Sequence, residues 1–235
     1  MRAIFKNVIK PGVIDKSLFN FTAKALINGL DSGYDVPVYT DSDKEMVANL
    51  KANLYQFSAA KTLTQIKEMS SLLTDGERTR SFAEFKKEVA KVYSNYNINY
   101  LQAEYNQAIG SARMAANWVS IQADKDTLPY LQYKTVGDSH VRESHKALDN
   151  IIRPVDDPFW DTYYPPNDWN CRCDVIQIAT GKETPLPKNL PAISKVFSGN
   201  NSKNGVVFND QHPYFNNLSE AEQKNVQEFI KSNVK

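Results

Sequence analysis

The chain has 235 residues, 28 of them Lys or Arg and 27 Asp or Glu, for a formal net charge of +1. That length buries a core without disulfide staples, and the near-cancelling charge excludes a surface shaped as a whole to hold phosphate backbones. No run of about 18 apolar residues would span a membrane as a helix, and the start MRAIFKNVIKPGVID lacks the apolar block of a secretory signal, so the expectation is a soluble, cytosolic protein.

The first half is helical by pattern. In IDKSLFNFTAKALINGLDSG, Leu18, Phe21, Ala25 and Leu30 recur near helical spacing. DSDKEMVANLKANLYQFSAAK opens with Ser42 and Glu45 spaced as a capping box, in which each residue satisfies an amide of the other. A separate short helix is expected over KTLTQIKEMSSLL, ending at the polar TDGERTR loop. The capping spacing recurs at Ser81 and Glu84, ahead of FKKEVAKVYSNY. A longer helix should run from about Asn97 to Ala123, with Leu101, Tyr105, Ala108, Ala112, Ala116 and Val119 on one side, small enough to pack closely.

After Asp124 the pattern changes. LQYKTV and CDVIQI have the alternation of strands, and HVRESHKAL reads as a short helix starting near Asp138 or Ser139. Asp149-Asn150 is a turn signal, because Asn tolerates the left-handed backbone. From Asp156 to Asn170 the Pro and aromatic content implies a long loop packed by its own Phe159, Trp160, Tyr163, Tyr164 and Trp169. A flexible tip, SGNNSKNG, and a closing helix with Leu218, Val226, Phe229 and Ile230 follow. The expected fold class is α+β: a helical N-terminal half (1–96), then residues 97–235 with a small, β-containing, loop-rich core (131–178) and a C-terminal helix.

Residues 138–175 hold two of the three histidines, both cysteines and two of the three tryptophans. His145, Cys171, Cys173 and His212 are the expected metal set, with His140 or water as alternatives at the fourth position, around one structural zinc. The NCRC segment must bend for this, because residues two apart on a straight strand share a face without aiming both sulfurs at one ion. The competing reading makes the cysteines small buried hydrophobes at a strand start. Two catalytic options exist: Glu143 as a general base and a Cys–His nucleophile helped by Arg172. They would make the chain a metal-dependent hydrolase or nucleic-acid-modifying enzyme. The motifs do not favour that alternative: HVRESH spaces its histidines five apart, unlike a zincin, and the Pro-Cys-x-x-Cys of zinc deaminases is missing. Trp160 and Trp169 could stack on bases, but without basic surroundings they read as the loop's own core.

Asp138, Leu148-Asp149-Asn150, Val155-Asp156-Asp157, Pro165-Pro166 and Asn170-Cys171-Arg172-Cys173 occur here in an order that resembles the phage Mu protein F-like, or minor head protein, family of tailed phages and prophages. Many members carry Cys-x-x-Cys where this chain has Arg142 and His145; Asn150 replaces a turn glycine, and Trp169 stands where many have His. The resemblance implies a non-enzymatic head component, made in the host cytoplasm with the portal and scaffold and carried into the virion head near the portal vertex. Its implied partners are the portal protein and the major capsid or scaffold protein, with at most weak DNA contact and none with membrane. Arg172 is expected to tie the long loop to the strand through Asp149, Asp156 or Asp157.

Overall fold

The computed structural model describes residues 1–234. In chain order the elements begin with α1 (Arg2–Phe5), α2 (Lys16–Gly33), α3 (Asp41–Ser71), β1 (Thr74–Asp75), β2 (Arg78–Thr79), α4 (Phe82–Ser94), a π-helical turn (Asn95–Tyr100) and α5 (Leu101–Asp124). There follow β3 (Tyr130–Lys134), α6 (Glu143–Lys146), β4 (Ile152–Pro154), α7 (Phe159–Tyr163), β5 (Asp174–Ile178), α8 (Asn201–Asn204), α9 (Pro213–Asn216) and α10 (Glu220–Asn233). The result is α+β, helical through α5 and closing on α10. No helix among the described residues is long and apolar enough to cross a membrane.

Two compact units interleave along the chain. The first comprises Met1–Asn28, Ala52–Tyr105 and the stretch from Asp210 onward. Its core is aromatic and aliphatic: Phe19 meets Phe229 edge-on at 5.0 Å, Phe5 meets Phe82 at 5.1 Å, and Phe57, Leu63, Ile66, Phe85 and Val89 are buried. The capping box expected ahead of α4 forms, with the Ser81 N–H donating to Glu84 at 2.8 Å and the Glu84 N–H to Ser81 Oγ at 3.4 Å. Inside this apolar unit lies an ion pair that helical periodicity does not disclose. Lys61 of α3 is 0 % exposed, Glu104 of α5 is 2 % exposed, and the ammonium donates to the carboxylate.

The two helices expected across Lys61 are one 31-residue helix. No Gly or Pro interrupts Asp41–Ser71, so nothing stops a helix once it is nucleated.

The second unit comprises Gly29–Lys51 and Asn106–Asn209. Here α3 starts two residues earlier than expected. The reciprocal cap pairs Thr40 with Asp43, not Ser42 with Glu45: the Thr40 N–H donates to Asp43 Oδ2 at 2.8 Å and the Asp43 N–H to Thr40 Oγ1 at 3.2 Å. The physical reason is tertiary, because the Asp43 carboxylate also accepts from the buried Tyr34 hydroxyl at 2.8 Å, a bond that Glu45 does not make.

A three-stranded antiparallel sheet, ordered β4-β3-β5, backs the rest of this unit. Tyr133 lies opposite Val175, and Asn150, at φ 66, makes the expected tight turn before β4. Met114, Trp118 and Ile121 of α5 pack with Leu131, Tyr133, Leu148, Trp160, Tyr164, Cys173 and Val175 in one buried cluster. The long aromatic loop is tied down by two buried donors: Trp160 Nε1–H to the Pro154 carbonyl and the Tyr164 hydroxyl to the Met114 carbonyl, both at 2.9 Å. One helical turn, α7, forms inside the stretch expected to be irregular. Trp160 is fully buried and Trp169 packs edge-on against Phe197 at 5.1 Å, so both serve the interior.

Candidate metal centre

Two short segments of the second unit bring soft donors together. Cys173 immediately precedes β5, and Cys171 lies two residues earlier. The bend that their convergence needs is made by Asn170, whose φ of 55° lies in the left-handed region that Asn tolerates. Its side-chain oxygen accepts from Asn106 of α5 at 2.9 Å, which holds the bend. The facing segment is α6, whose cap residue Arg142 donates to the Trp169 carbonyl at 2.9 Å and pairs with Asp168 at 2.9 Å. His145 thereby points at the two cysteines.

The Nδ1 atom of His145 is 3.4 Å from Cys173 Sγ and 3.8 Å from Cys171 Sγ, and all three ligand atoms lie within 4.8 Å of one another. Two ligands on a tetrahedral zinc sit about 3.6 Å apart for nitrogen and sulfur and about 3.8 Å apart for two sulfurs. The two His145–sulfur separations therefore suit neighbouring vertices of a zinc tetrahedron. His145 and Cys173 are buried, at 3 % and 4 % exposure, and Cys171 is half-buried. The hydrogen bond from the Cys173 thiol, with others from His145 and from backbone amides, pulls the Cys171 thiol down to about 4 despite its burial. That same bond, together with burial, pushes Cys173 up. The pair therefore carries one thiolate readily without metal; a cation would supply the charge to hold two.

Beside the donors is a cavity of about 20 Å³, lined also by Val136, His140, Val141, Arg142, Asn170 and Arg172. That is room for about one water molecule. None of its lining residues is an acid. Glu143, the candidate base, has an 87 % exposed side chain and pairs with Lys146 on its own helix. Arg172 binds Asp138 with both arms, at 2.7 and 2.9 Å, and not Asp149, Asp156 or Asp157. The reason is prior engagement: Asp149 accepts from Thr135, Asp156 pairs with Lys125, and Asp157 is matched by Arg153 four residues away. The Arg172 guanidinium holds Asp138 down to about 2.

The structure places His212, expected as the fourth ligand, in the first unit and outside the group of donors found among the described residues. Its ring packs edge-on against Phe57 at 4.9 Å, and its Nδ1 accepts the Tyr214 N–H at 3.2 Å to cap α9. Burial, then the nearby Lys61 charge, pushes its pKa down to about 4. Below a pH of about 6.5 the unfolded chain takes up a proton that the folded ring refuses, so this contribution to stability falls with pH until the ring itself titrates. We expect urea denaturation to lose up to about 3 kcal/mol from this group between the two pKa values. His212→Asn, which keeps a capping acceptor, should flatten that slope. Equal pH dependence in parent and variant would contradict the assignment.

The sequence resembles described proteins over the segment that carries this group. The family described as Phage Mu protein F like protein matches residues 68–176. A protein of Escherichia phage Mu named as capsid assembly protein F is 34 % identical over 119 residues, which is 48 % of this chain and 27 % of that protein. The Mu-like prophage FluMu F protein of Haemophilus influenzae is 48 % identical over 65 residues, 28 % of this chain and 16 % of that protein. The chain thus spans about a quarter or less of the length of these relatives. No solved structure matches it. His145, Cys171, Cys173 and Glu104 all fall inside the Mu F-like segment, whereas Lys61 and His212 fall outside it.

Sequence reasoning missed Asn170 as the residue that bends the cysteine segment, Asp138 as the partner of Arg172, and Lys61 with Glu104. A signal existed for Lys61, a single charge in the run FSAAKTLTQI.

Proposed function

We propose that the chain is a structural component of head assembly in a tailed phage or prophage, with no catalytic turnover. The observation that carries this reading is the 119-residue likeness to a protein named for capsid assembly. The site supports it further, since its small cavity has no acid in its wall and leaves little room for a substrate. In this reading His145, Cys171 and Cys173 hold one structural zinc that braces the loop-rich part of the second unit. Zinc adds folding free energy where burial alone is limited. The alternative of a metal-dependent hydrolase finds no carboxylate at the cavity to support it, since Glu143 faces solvent and pairs with Lys146.

Placement at or near the portal vertex, during prohead assembly and DNA packaging or ejection, rests on the family resemblance. So do the portal protein and the major capsid or scaffold protein as partners, and a path from host cytoplasm to virion head. The near-neutral charge supports protein partners over DNA. The test is to purify heads from cells producing the phage that encodes this chain and quantify the chain by mass spectrometry. It should be present in a few copies per head, and a stop codon in its gene should block formation of filled heads. Normal, infectious heads that lack the chain would overturn the proposal.

A further inference from the structure

The three donors all line the small cavity, and a tetrahedral ion held by them would need a fourth ligand. We propose that His140 supplies it, so that the centre is a two-cysteine, two-histidine site for a zinc-class divalent cation. This rests on reading His145, Cys171 and Cys173 as ligands. Of the other residues lining the cavity, Val136 and Val141 have no side-chain ligand atom, and the guanidinium groups of Arg142 and Arg172 offer only N–H donors and no lone pair to an ion. Asn170 offers only an amide oxygen, already accepting from Asn106. His140 is the one lining residue left with a ligand atom suited to zinc.

The local backbone mounts His140 for this role. The segment 138–142 is fastened at both ends to the stretch that carries the cysteines. At one end the Asp138 carboxylate is gripped by Arg172, the residue between Cys171 and Cys173, at 2.7 and 2.9 Å. At the other end Arg142 holds Asp168 and the Trp169 carbonyl, each at 2.9 Å. His140 sits midway, with its own N–H donating to Asp138 Oδ1 at 3.0 Å. Its ring is 83 % exposed, with Nδ1 3.9 Å from Asp138 Oδ1. Ligating histidines commonly donate their second ring N–H to a carboxylate, which fixes the tautomer and orients the ring. Asp138 is near enough to accept a hydrogen bond from Nδ1–H once the ring turns, leaving Nε2 for the ion. The His140 ring lies outside the group of three donors in the structure, so ligation requires this exposed side chain to turn inward. Two thiolates and two neutral imidazoles would then balance the charge of a divalent cation. Arg142 serves as a clamp for the neighbouring segment that carries His140.

Cobalt(II) reports the result, because its absorption distinguishes sulfur ligation, coordination number and open positions. The parent chain, His140→Ala and Cys171→Ser are titrated with cobalt(II) alone, and azide is then added. The expected result is thiolate charge-transfer and tetrahedral bands in the parent that azide leaves unchanged. His140→Ala should keep the thiolate bands, bind cobalt at least about ten-fold more weakly, and respond to azide at the vacated position. His140 is exposed, so its removal leaves the fold intact. Equal affinity and equal azide response in parent and His140→Ala would overturn the proposal while leaving the three-ligand reading in place. A parent that shows no thiolate bands, or bands that survive unchanged in Cys171→Ser, would overturn that underlying reading and this proposal with it.

Discussion

Lys61→Ala is expected to destabilise the protein by about 3–5 kcal/mol, the cost of leaving one member of a buried ion pair without its partner. Lys61 and Glu104 are 0 % and 2 % exposed, which leaves little water to take the place of the lost charge. Burial pushes the Lys61 ammonium down and the Glu104 carboxyl up, and each is kept charged chiefly by the other. Without the lysine, the Glu104 pKa rises further above its unfolded value of about 4.3. A raised carboxyl contributes its stability below the unfolded pKa and loses it as pH climbs through the folded one. The gap between parent and variant should therefore be smallest near pH 4 and widen toward neutrality. Replacing both residues together, Lys61→Met with Glu104→Leu, should recover most of the loss, because a well-packed apolar pair substitutes for a buried ionic one at little net cost. Urea denaturation of the parent and the two variants at several pH values measures this. A Lys61→Ala loss below about 1 kcal/mol that does not vary with pH would show that water reaches the pair.

Purified protein is expected to carry close to one equivalent of zinc, and His145→Ala and Cys171→Ala to carry none. At a free zinc concentration a thousand times the dissociation constant, binding adds about 4 kcal/mol to stability. Chelation should consequently lower the melting temperature of the parent and leave both variants unmoved. Cys171 and His145 are the informative positions, because Cys173 is also part of the hydrophobic cluster with Tyr133 and Val175 and its loss would cost packing as well. Elemental analysis with thermal melts, with and without chelator, decides the matter. Metal-free protein with an unchanged melting temperature would remove the brace and leave the cysteines as packed small hydrophobes.

What lies within three or four residues was readable from the amino-acid order alone. The Ser81–Glu84 capping box, the turn at Asn150, and the strands around Tyr133 and Val175 all depend on hydrogen bonds or side-chain alternation set by near neighbours. The likeness to the Mu F-like family was legible as well, because an ordered set of short motifs survives in the sequence whatever path the chain takes between them.

Choices between locally equivalent options needed the tertiary structure. Thr40 with Asp43 and Ser42 with Glu45 are both plausible starts for α3, and a tyrosine hydroxyl nine residues before Asp43 decides between them. Arg172 had several acids to choose from, and prior pairing of Asp149, Asp156 and Asp157 left it Asp138. The candidate centre divides the same way. Its ligand types could be named from composition, but only the folded path selects His145, 26 and 28 residues from its cysteines, and sends His212 to cap a helix in the other unit. Local order carries the bonds that form within a turn; convergence of residues far apart in sequence depends on every bend between them, down to the left-handed Asn170.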